Sequence, residues 1–260
     1  MALFTHSIVV PAYNESARLG TSLEKIIAYV QKSGWQAEIL IVHDGSRDNT
    51  AEIARSFERR YGVVRLIENP GNRGKGYSVR NGMLHASGDK LLFTDADLSS
   101  PIEESEKLFA ALDDGAEVAM GSRWLQRELQ TERQPLHRQF LGRLFNFVLR
   151  MILGLKYKDT QCGFKAFTRK AGEVIFPRQQ IERCGFDPEI LYLARKFRLK
   201  TVEVPVGWAH DDRSKINPVV DGVKMAMELL RVRWYDISHR YEKPSYTVEP
   251  LGAAVEKLVR

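Results

Sequence analysis

The fold class of this chain follows from residues 6–46, HSIVVPAYNESARLGTSLEKIIAYVQKSGWQAEILIVHDGS. The β-branched run at 6–13 predicts a strand, and AEILIVHDGS at 37–46 predicts a second strand that ends in turn residues. Between the strands lie apolar residues at helical spacing: Leu19, Leu23, Ile26, Ile27 and Val30. Such a strand–helix–strand unit predicts a mostly parallel sheet flanked by helices.

The same alternation continues along the chain. Further helices are predicted at 48–62, 75–88, 102–115, 186–198 and 218–240. Further strands are predicted at 63–69, 90–97, 117–123 and 200–208. The segment DTQCGFKAFTRKAG, at 159–172, is assigned neither to a helix nor to a strand. The overall pattern is that of an α/β protein, in which ligands bind outside the carboxyl ends of the strands.

Length and composition bound the functional class. The chain has 260 residues, 43% of them hydrophobic and 28% charged, which suits one large α/β domain. The net charge of +6 suits an anionic partner such as a nucleotide, a phosphorylated lipid or a membrane surface. Nucleic acid is not predicted as a partner, since no binding motif for it is found.

Compartment is inferred from cysteine usage and hydropathy. Two cysteines without a CxxC pair favour a reducing, cytosolic compartment, and both are expected to be buried packing residues. Neither a signal peptide nor a membrane span is predicted.

Two acids follow a predicted strand in LLFTDADLSSP, at 91–101. If the strand continues to residue 97, Asp95 and Asp97 share one face and repel each other unless a cation lies between them. Oxygen ligands of this kind suit Mg²⁺ or Mn²⁺, which also bind substrate phosphates. The alternative is an Asx turn in which Asp97, Ser99 or Ser100 caps the next helix. The two acids alone do not decide between these interpretations.

Three other polar clusters fall at predicted strand ends or helix starts. PAYNE offers Tyr13 and Glu15 to a nucleotide base, or forms a turn in which Asn14 caps the first helix. In HDGS, Asp44 can accept a hydrogen bond from a base or a ribose, or simply occupy a turn. NRGKG places Lys75 at a helix N-terminus, which attracts anions, or is a structural loop.

A basic, partly apolar segment follows the fifth strand. Residues 123–139 are rich in Arg, Gln and Glu and are interpreted as a loop, and an amphipathic helix is predicted at about 137–154. A basic amphipathic helix favours a membrane interface, whereas the alternative is a core or dimer-packing helix. His210 follows a strand and is a candidate metal or phosphate ligand, with a plain surface histidine as the alternative.

Taken together, the motifs resemble the family 2 glycosyltransferases, which have the GT-A fold. The shared segments in the first half are VVPAYNE, VHDGSRDNT, NRGKG and TDADLSSP. In the second half, GSR, DTQCGFK, ERCGFDPEILYLA and VPVGW are similar to the dolichyl-phosphate β-glucosyltransferase branch and its bacterial polyprenyl-phosphate relatives. The resemblance covers residues 7–240, and DTQCGFK is far more specific than the pair of acids.

The resemblance implies a role for each matching residue. It implies a nucleotide-binding set of Pro11, Tyr13, Glu15, Asp44, Lys75 and Asp95. It makes Asp97 the ligand of Mg²⁺ or Mn²⁺, to which the residue pattern adds His210 as a further candidate. The expected acceptor-phosphate residues are Arg123, Arg138 and Arg143, and the expected sugar or acceptor pocket contains Asp159 and Gln161. The expected catalytic set is Asp95, Asp97, Asp187 and Arg123.

The implied reaction is metal-dependent transfer of glucose from UDP-glucose to a polyprenyl phosphate, with inversion at the sugar carbon. The alternatives are a soluble glycosyltransferase for a hydroxyl or a small phosphorylated acceptor, and an inactive nucleotide-sugar or membrane-binding module. The implied location is the cytoplasmic face of a membrane, as a peripheral protein. His43 departs from the family pattern, which has a second acid before Asp44.

The domain organisation follows from the same comparison of motifs. One glycosyltransferase domain is expected at 1–242, with a nucleotide-binding half at 1–100 and an acceptor-binding half at 101–242. Residues 243–260 are expected to form a C-terminal tail.

Overall fold

The computed structural model describes residues 4–129, 146–209 and 218–246. Within these ranges, seven strands form one sheet. The strands are β1 His6–Ala12, β2 Ala37–His43, β3 Val64–Glu68, β4 Lys90–Thr94, β5 Val118–Ser122, β6 Phe164–Thr168 and β7 Thr201–Pro205. The helices are α1 Leu19–Ser33, α2 Thr50–Arg60, α3 Lys75–His85, α4 Ser105–Asp113, α5 at 146–153, α6 Arg169–Ile175, α7 Phe186–Lys196 and α8 Pro218–Ile237.

The strand order is β3-β2-β1-β4-β6-β5-β7. Strands β1 to β4 pair in parallel, as do β5 and β7, whereas β6 runs antiparallel to both β4 and β5. The predicted mostly parallel sheet is therefore confirmed. Strand β6 lies in the segment 159–172, which was predicted neither as helix nor as strand, and it joins the two parallel groups.

Each face of the sheet carries its own apolar layer because side chains alternate along a strand. Ile8 and Val10 of β1 point toward α1, α2 and α4, and Val9 points the other way, toward α3 and α7. Every residue of β2 is buried, as expected for a strand covered on both faces. The result is a sheet between two layers of helices, with the core divided between them.

The connections leave a crevice beside β1. The chain goes from β1 outward to β2 and β3, then returns through α3 and adds β4 on the opposite side of β1. The loops at the carboxyl ends of β1 and β4 therefore lead away in opposite directions. Such a topological switch point is where open α/β sheets bind ligands.

The predicted amphipathic helix at 137–154 is described from residue 146 onward, and its remainder lies outside the described residues. Residues 146–153 are helical, with Leu149 and Leu153 fully buried and Phe147 and Met151 exposed. The described part is thus amphipathic, as predicted. Among the described helices, none combines the length and apolar character that crossing a bilayer requires.

The start of the predicted tail is packed against the domain. The backbone N–H groups of Ser245 and Tyr246 both donate to the carbonyl oxygen of Pro177, at 2.8 and 3.1 Å. The ring of Tyr246 lies 3.7 Å from the guanidinium carbon of Arg80, which is almost fully buried. The chain from Lys243 to Tyr246 therefore follows the surface of the α3 and α6 side of the domain.

Candidate active site

A cavity of about 690 Å³ opens at the switch point between β1 and β4. We call it the switch-point cavity. Its walls include every residue of the predicted nucleotide-binding set and the predicted metal ligand: Pro11, Tyr13, Glu15, Asp44, Lys75, Asp95 and Asp97. The fold thus brings together residues that are up to 86 positions apart, from Pro11 to Asp97.

Lys75 and Asp95 form an ion pair in this cavity. Lys75 is the first residue of α3, Asp95 follows β4 directly, and Lys75 Nζ lies 2.5 Å from Asp95 Oδ1. Burial acts to lower the pKa of Lys75, but the nearby carboxylates of Asp95 and Asp187 outweigh it and hold that pKa above its usual value. The ammonium group therefore stays charged at physiological pH.

The Asp95 carboxylate is held in place by a close neighbour. Its Oδ1 atom is buried and, apart from the ion pair with Lys75, has no hydrogen-bond partner among the described residues. Gly163, of the DTQCGFK motif, lies so near that a Cβ atom there would be 2.7 Å from Asp95 Cγ. A side chain at position 163 would collide with this carboxylate in its present position. This close approach is a physical reason for a glycine at position 163 of the motif.

Asp97 reaches the cavity by a route that differs from the predicted one. Strand β4 ends at Thr94, and Asp95 to Leu98 form a turn in which Leu98 N–H donates to the Asp95 carbonyl at 3.1 Å. The expectation that strand alternation places the two acids on one face is therefore wrong. Both acids still line the cavity, because the turn redirects them.

The Asx-turn interpretation of this segment is half right. Ser99 N–H donates to Asp97 Oδ1 at 2.9 Å, which is an Asx turn. No side chain caps the following helical turn, whose N-cap position is occupied by Pro101, so the proposed cap by Asp97, Ser99 or Ser100 is wrong. Asp97 Oδ2 lies 3.7 Å from Arg18 Nη1, which adds a second cation to this wall of the cavity.

The donor set fits a hard divalent cation. Mg²⁺ and Mn²⁺ are commonly held by one or two carboxylates together with substrate phosphates, and they do not need a cage of protein ligands. Asp95 and Asp97 supply two carboxylates in one cavity, and Asp95 Oδ1 has no partner other than Lys75 among the described residues. No group of three or more His, Cys, Asp or Glu side chains is arranged for a metal ion within the described ranges, and His210 lies outside them.

Asp44 holds the loop that precedes α3. Its Oδ1 accepts from Arg73 N–H at 2.9 Å and from Asn69 Nδ2 at 2.8 Å, and its Oδ2 accepts from Gly74 N–H at 2.8 Å. The side chain borders the cavity, but three donors already occupy its oxygens. Asp44 therefore fixes the position of the NRGKG loop, whatever further contact it makes.

The NRGKG loop is clamped from its other side by residues 179–182. Gln179 Nε2 donates to the Gly76 carbonyl at 2.8 Å, and Tyr77 N–H donates to the Glu182 carbonyl at 2.9 Å. Gly74 has a φ of 108°, and a Cβ atom at Gly76 would lie 2.5 Å from the Ile181 carbonyl oxygen. These two glycines allow the loop to pass close to the 179–182 segment and present Lys75 to the cavity.

His43 takes the place of the acid that the family pattern has before Asp44. Ser46 N–H donates to His43 Nε2 at 2.9 Å, so this nitrogen accepts and the ring proton lies on Nδ1 in the neutral form. Glu68 Oε1 lies 3.8 Å from that Nδ1. The imidazole therefore supports the turn after β2, and it is absent from the cavity wall.

The PAYNE segment is tied to the same turn. Asn14 has a φ of 53°, its N–H donates to Ser46 Oγ at 3.0 Å, and its Oδ1 accepts from Arg47 N–H at 2.8 Å. Helix α1 begins only at Leu19, so the alternative that Asn14 caps this helix is wrong. Glu15 pairs with Arg18, and the Tyr13 ring is exposed at the cavity.

Arg123 and Asp159 form a bidentate pair away from the cavity wall. Arg123 Nε and Nη2 donate to the two carboxylate oxygens of Asp159 at 2.7 and 2.8 Å, and Arg123 N–H donates to the same carboxylate at 3.0 Å. Although burial acts to raise it, the pKa of Asp159 is lowered by the guanidinium. The arginine expected to bind the acceptor phosphate is thus engaged by the acid expected in the sugar pocket.

Among the described residues, Asp187 and Gln161 are also outside the cavity wall. Asp187 Oδ1 lies 2.5 Å from Lys165 Nζ, which also donates to the Cys162 carbonyl at 2.6 Å, and both side chains are buried. Gln161 Nε2 contacts the sulfur of Met225, which does line the cavity, at 2.8 Å. Arg138 and Arg143 lie outside the described residues.

Several cavity residues were missed by reasoning from the sequence. They are Arg18, Asn72, Arg183, Cys184, Lys224, Met225 and Glu228. The last three belong to α8, far along the chain, and nothing local marks them as part of a site. Cys184 is exposed, so the expectation that it is a buried packing residue is wrong, whereas the same expectation for Cys162 is confirmed.

Comparisons with known proteins find similar sequences over most of this chain. The family model described as Glycosyl transferase family 2 matches residues 7–176. The dolichyl-phosphate β-glucosyltransferase ALG5C of Trichomonas vaginalis is 38% identical over 242 residues, which cover 88% of this chain and 71% of that protein. The dolichyl-phosphate β-glucosyltransferases of Drosophila melanogaster and Homo sapiens are 37% and 35% identical, each over 87% of this chain and over 73% and 74% of their own lengths.

Solved structures show the same fold. Glucosyl-3-phosphoglycerate synthase from Mycobacterium tuberculosis, in complex with Mn²⁺, UDP and glucosyl-3-phosphoglycerate, aligns with a TM-score of 0.64 at 20% identity. The alignment covers 93% of this chain and 81% of that one. The same enzyme with Mg²⁺ and UDP aligns with a TM-score of 0.62. At this identity the likeness concerns the fold, and the predicted GT-A architecture is confirmed.

Proposed function

We propose, because this chain belongs to glycosyl transferase family 2, that it transfers glucose from UDP-glucose to a dolichyl-type polyprenyl phosphate with inversion at the sugar carbon. The observation that carries the proposal is the extent of similarity to dolichyl-phosphate β-glucosyltransferases, which spans 240 residues of the human protein at 35% identity. That span includes both the cavity half and the half that contains DTQCGFK.

The nucleotide-sugar is proposed to occupy the switch-point cavity. A cavity of about 690 Å³ is within the usual range for small-molecule sites. The exposed ring of Tyr13 offers a stacking surface for the uracil, near Pro11 and Glu15. The charges of the diphosphate would be met by the cations in the wall, which are Arg18, Lys75, Arg183 and Lys224.

Asp95 and Asp97 are proposed to hold Mg²⁺ or Mn²⁺. When bound, the ion would neutralise charge on the leaving diphosphate. Lys75 orients the Asp95 carboxylate, and Gly163 leaves it the space that it occupies. Lys75 and Arg18 already lie beside these two acids, and a divalent ion would add the positive charge that the diphosphate requires.

The proposed reaction is a single displacement. An oxygen of the acceptor phosphate forms a bond to the anomeric carbon, the bond from that carbon to the β-phosphate oxygen breaks, and its electron pair leaves with UDP. The phosphate is already ionised at neutral pH, so no strong general base is needed. The main demand on the protein is to hold two anions together, for which preorganised cations are suited.

The cations for the acceptor phosphate come from two groups. Arg183 and Lys224 are already in the cavity wall. Further proposed contacts of the acceptor phosphate are Arg123, Arg138 and Arg143. The orientation of Arg123 is fixed by its ion pair with Asp159. Asp187 and Gln161 are proposed to shape the pocket for the sugar, with Asp187 oriented by Lys165.

An acceptor with a lipid tail implies a place at a membrane surface. We propose that the protein works as a peripheral protein at the cytoplasmic face, where its nucleotide-sugar is available. The competing acceptor is a small phosphorylated metabolite or a hydroxyl, and this alternative uses the same cavity.

The test is a transfer assay with matched donors and acceptors. Purified protein with Mg²⁺ is given UDP-glucose and either a polyprenyl phosphate or 3-phosphoglycerate, and UDP release and glucose incorporation are both measured. We expect both signals with polyprenyl phosphate alone. Transfer to 3-phosphoglycerate, or no UDP release with any donor, would contradict the proposal.

A variant pair connects the assay to the site. Asp97→Asn should lower turnover by roughly 100-fold or more and should weaken Mn²⁺ binding in the presence of UDP, measured by electron paramagnetic resonance. Asp114→Asn, an exposed acid after α4, is the matched control and should change neither. Wild-type turnover in Asp97→Asn would show that this residue does not hold the metal.

A further inference from the structure

The outer face of α8 exposes a row of large apolar side chains. Met227, Leu230, Trp234 and Ile237 are exposed to 51%, 60%, 61% and 67%. Their spacing of three or four residues places them on one side of the helix, so they form one continuous strip. We call this strip the α8 stripe.

The α8 stripe lies on the face of the helix that points away from the core. Leu229 and Val232, on the opposite side of α8, are fully buried in the core. Glu228 accepts from Gly185 N–H at 2.7 Å, and Asp236 accepts from Tyr192 and Lys196 at 2.5 and 2.6 Å. The helix is therefore fixed to the domain by one face and leaves the apolar stripe on the other.

Basic side chains border the stripe on both sides. Lys224 and Arg231 lie one turn from Met227 on one side, and Arg233 lies one turn from Leu230 on the other. All three are exposed, and Arg233 also donates to the Tyr192 hydroxyl at 3.1 Å. The two acids between Lys224 and Ile237 are Glu228 and Asp236, which are bonded inward. The exposed surface thus combines apolar side chains with positive charge.

The same helix contributes to the switch-point cavity. Lys224, Met225 and Glu228 line its wall, so the stripe begins within one turn of the cavity. A surface that contacts the stripe consequently lies close to the cavity in which the acceptor phosphate is proposed to react.

We infer that the α8 stripe docks on the surface of an anionic lipid bilayer, with its apolar side chains in the interface and its basic side chains at the headgroups. The inference rests on the proposed function, since the acceptor's tail would lie in that bilayer. An apolar strip bordered by lysine and arginine is the pattern of helices that lie in a membrane interface.

Charge argues for a bilayer over a second copy of this chain. Two copies that pair through the stripe would bring their bordering rows of basic residues together, and like charges at such positions repel. Anionic headgroups instead complement them.

The experiment is flotation of the full chain with vesicles of about two parts phosphatidylcholine to one part phosphatidylglycerol. We expect binding by the wild type and a loss of at least roughly 30-fold in the partition coefficient for the double variant Leu230→Gln, Trp234→Gln. Arg231→Glu should lower binding roughly fivefold or more, and its matched control, Arg59→Glu on α2, should not. Circular dichroism melting confirms that each variant is folded.

A second double variant tests whether α5, and not α8, contacts the membrane. Phe147→Gln, Met151→Gln removes exposed apolar side chains from α5, of which Met151 is 71% exposed. We expect it to keep most of the binding. If this variant loses binding and the α8 variant does not, or if the stripe instead holds a dimer that the α8 variant dissociates in sedimentation, the inference is overturned.

Transfer to a short-chain, water-dispersed polyprenyl phosphate separates this inference from the proposed function. The α8 variant should keep that activity, because neither of its substituted residues lines the cavity. Wild-type protein that transfers glucose but does not bind vesicles would overturn the inference alone. Protein that transfers to no acceptor would overturn the proposed function, whatever its vesicle binding.

Discussion

Lys75 Nζ and Asp95 Oδ1 lie 2.5 Å apart and join the start of α3 to the end of β4 across the switch-point cavity. The two residues come from different sides of the topological switch, so the pair exists only in the folded chain. It places a permanent positive charge beside the buried Oδ1 atom of Asp95, which has no other partner among the described residues. The pair therefore orients the Asp95 carboxylate in the cavity.

Replacing Lys75 by methionine should therefore damage the reaction more than the fold. We expect kcat/KM with UDP-glucose to fall by roughly 100-fold, because a preorganised cation is lost from the site. Steady-state kinetics and urea unfolding, measured on the same samples, check this. A variant that unfolds more easily but retains its kcat/KM would assign the pair a structural role.

Gly163→Ala should interfere with the Asp95 carboxylate, since a Cβ atom there would lie 2.7 Å from Asp95 Cγ. We expect at least a roughly tenfold loss of turnover as the carboxylate is displaced. Gly62→Ala is the matched control, because nothing lies within 4 Å of a Cβ atom at that position. Equal activity of the two variants would contradict the packing argument.

Asp159→Asn should destabilise the domain. It leaves the largely buried Arg123 guanidinium without its charged partner, which costs about 3 kcal/mol in the free energy of unfolding. Asp113→Asn is the control, since its pair with Lys90 has a carboxylate that is 62% exposed, and its loss should stay within about 0.5 kcal/mol. Urea denaturation measures both. If stability is unchanged and only the KM for acceptor rises, Arg123 serves the phosphate directly.

Alkylation should distinguish the two cysteines. Burial, aided by Asp159, raises the pKa of the Cys162 thiol to about 12, so this thiol stays protonated and inaccessible. Cys184 is exposed at the cavity. We expect N-ethylmaleimide to modify Cys184 alone in the native protein, and UDP with Mg²⁺ to slow that reaction. Mass spectrometry of digests checks the site, and unchanged kinetics with UDP would place the nucleotide elsewhere.

His6 should make stability depend on acid pH. Burial, with Lys90 nearby, lowers its pKa from 6.5 to about 4 in the folded protein. Between these values the unfolded chain binds a proton that the folded chain does not, so stability falls as pH drops from 6.5 toward 4, by roughly 2–3 kcal/mol in total. His6→Gln should flatten this part of the curve, and His239→Gln, at an exposed position, should not. Equal curves for wild type and His6→Gln would contradict it.

The periodic part of the fold could be predicted from the sequence. The helices α2, α3, α4, α7 and α8 and the strands β1, β2, β3, β5 and β7 carry local signals, and the structure places them near the predicted bounds. Strand β6 does not carry such a signal, because its second residue, Lys165, is fully buried and is stabilised by Asp187, which is 22 residues away. A sequence pattern treats a lysine as exposed, so the strand is hidden.

The candidate site likewise contains some residues that could be predicted from the sequence and others that could not. Residues directly after strands, such as Tyr13 and Asp95, could be placed because the sheet edge collects them. The pairing of Arg123 with Asp159 could not be predicted, because 36 residues separate them. Nothing local in the sequence shows whether Arg123 binds a phosphate or a carboxylate. Lys224 was missed for a related reason, because its helix lies far along the chain and reaches the cavity only through tertiary packing.

The contact of the C-terminal residues with Pro177 and Arg80 has a practical consequence. Cutting the chain after Glu242, at the boundary expected from composition, would remove the Tyr246 ring from the guanidinium of Arg80, which also donates to the Gln179 carbonyl at 2.9 Å. Gln179 in turn supports the loop that presents Lys75. A protein shortened for crystallisation should therefore end beyond Tyr246 and not at residue 242. The cleavage site of a removable tag should lie beyond Tyr246 for the same reason.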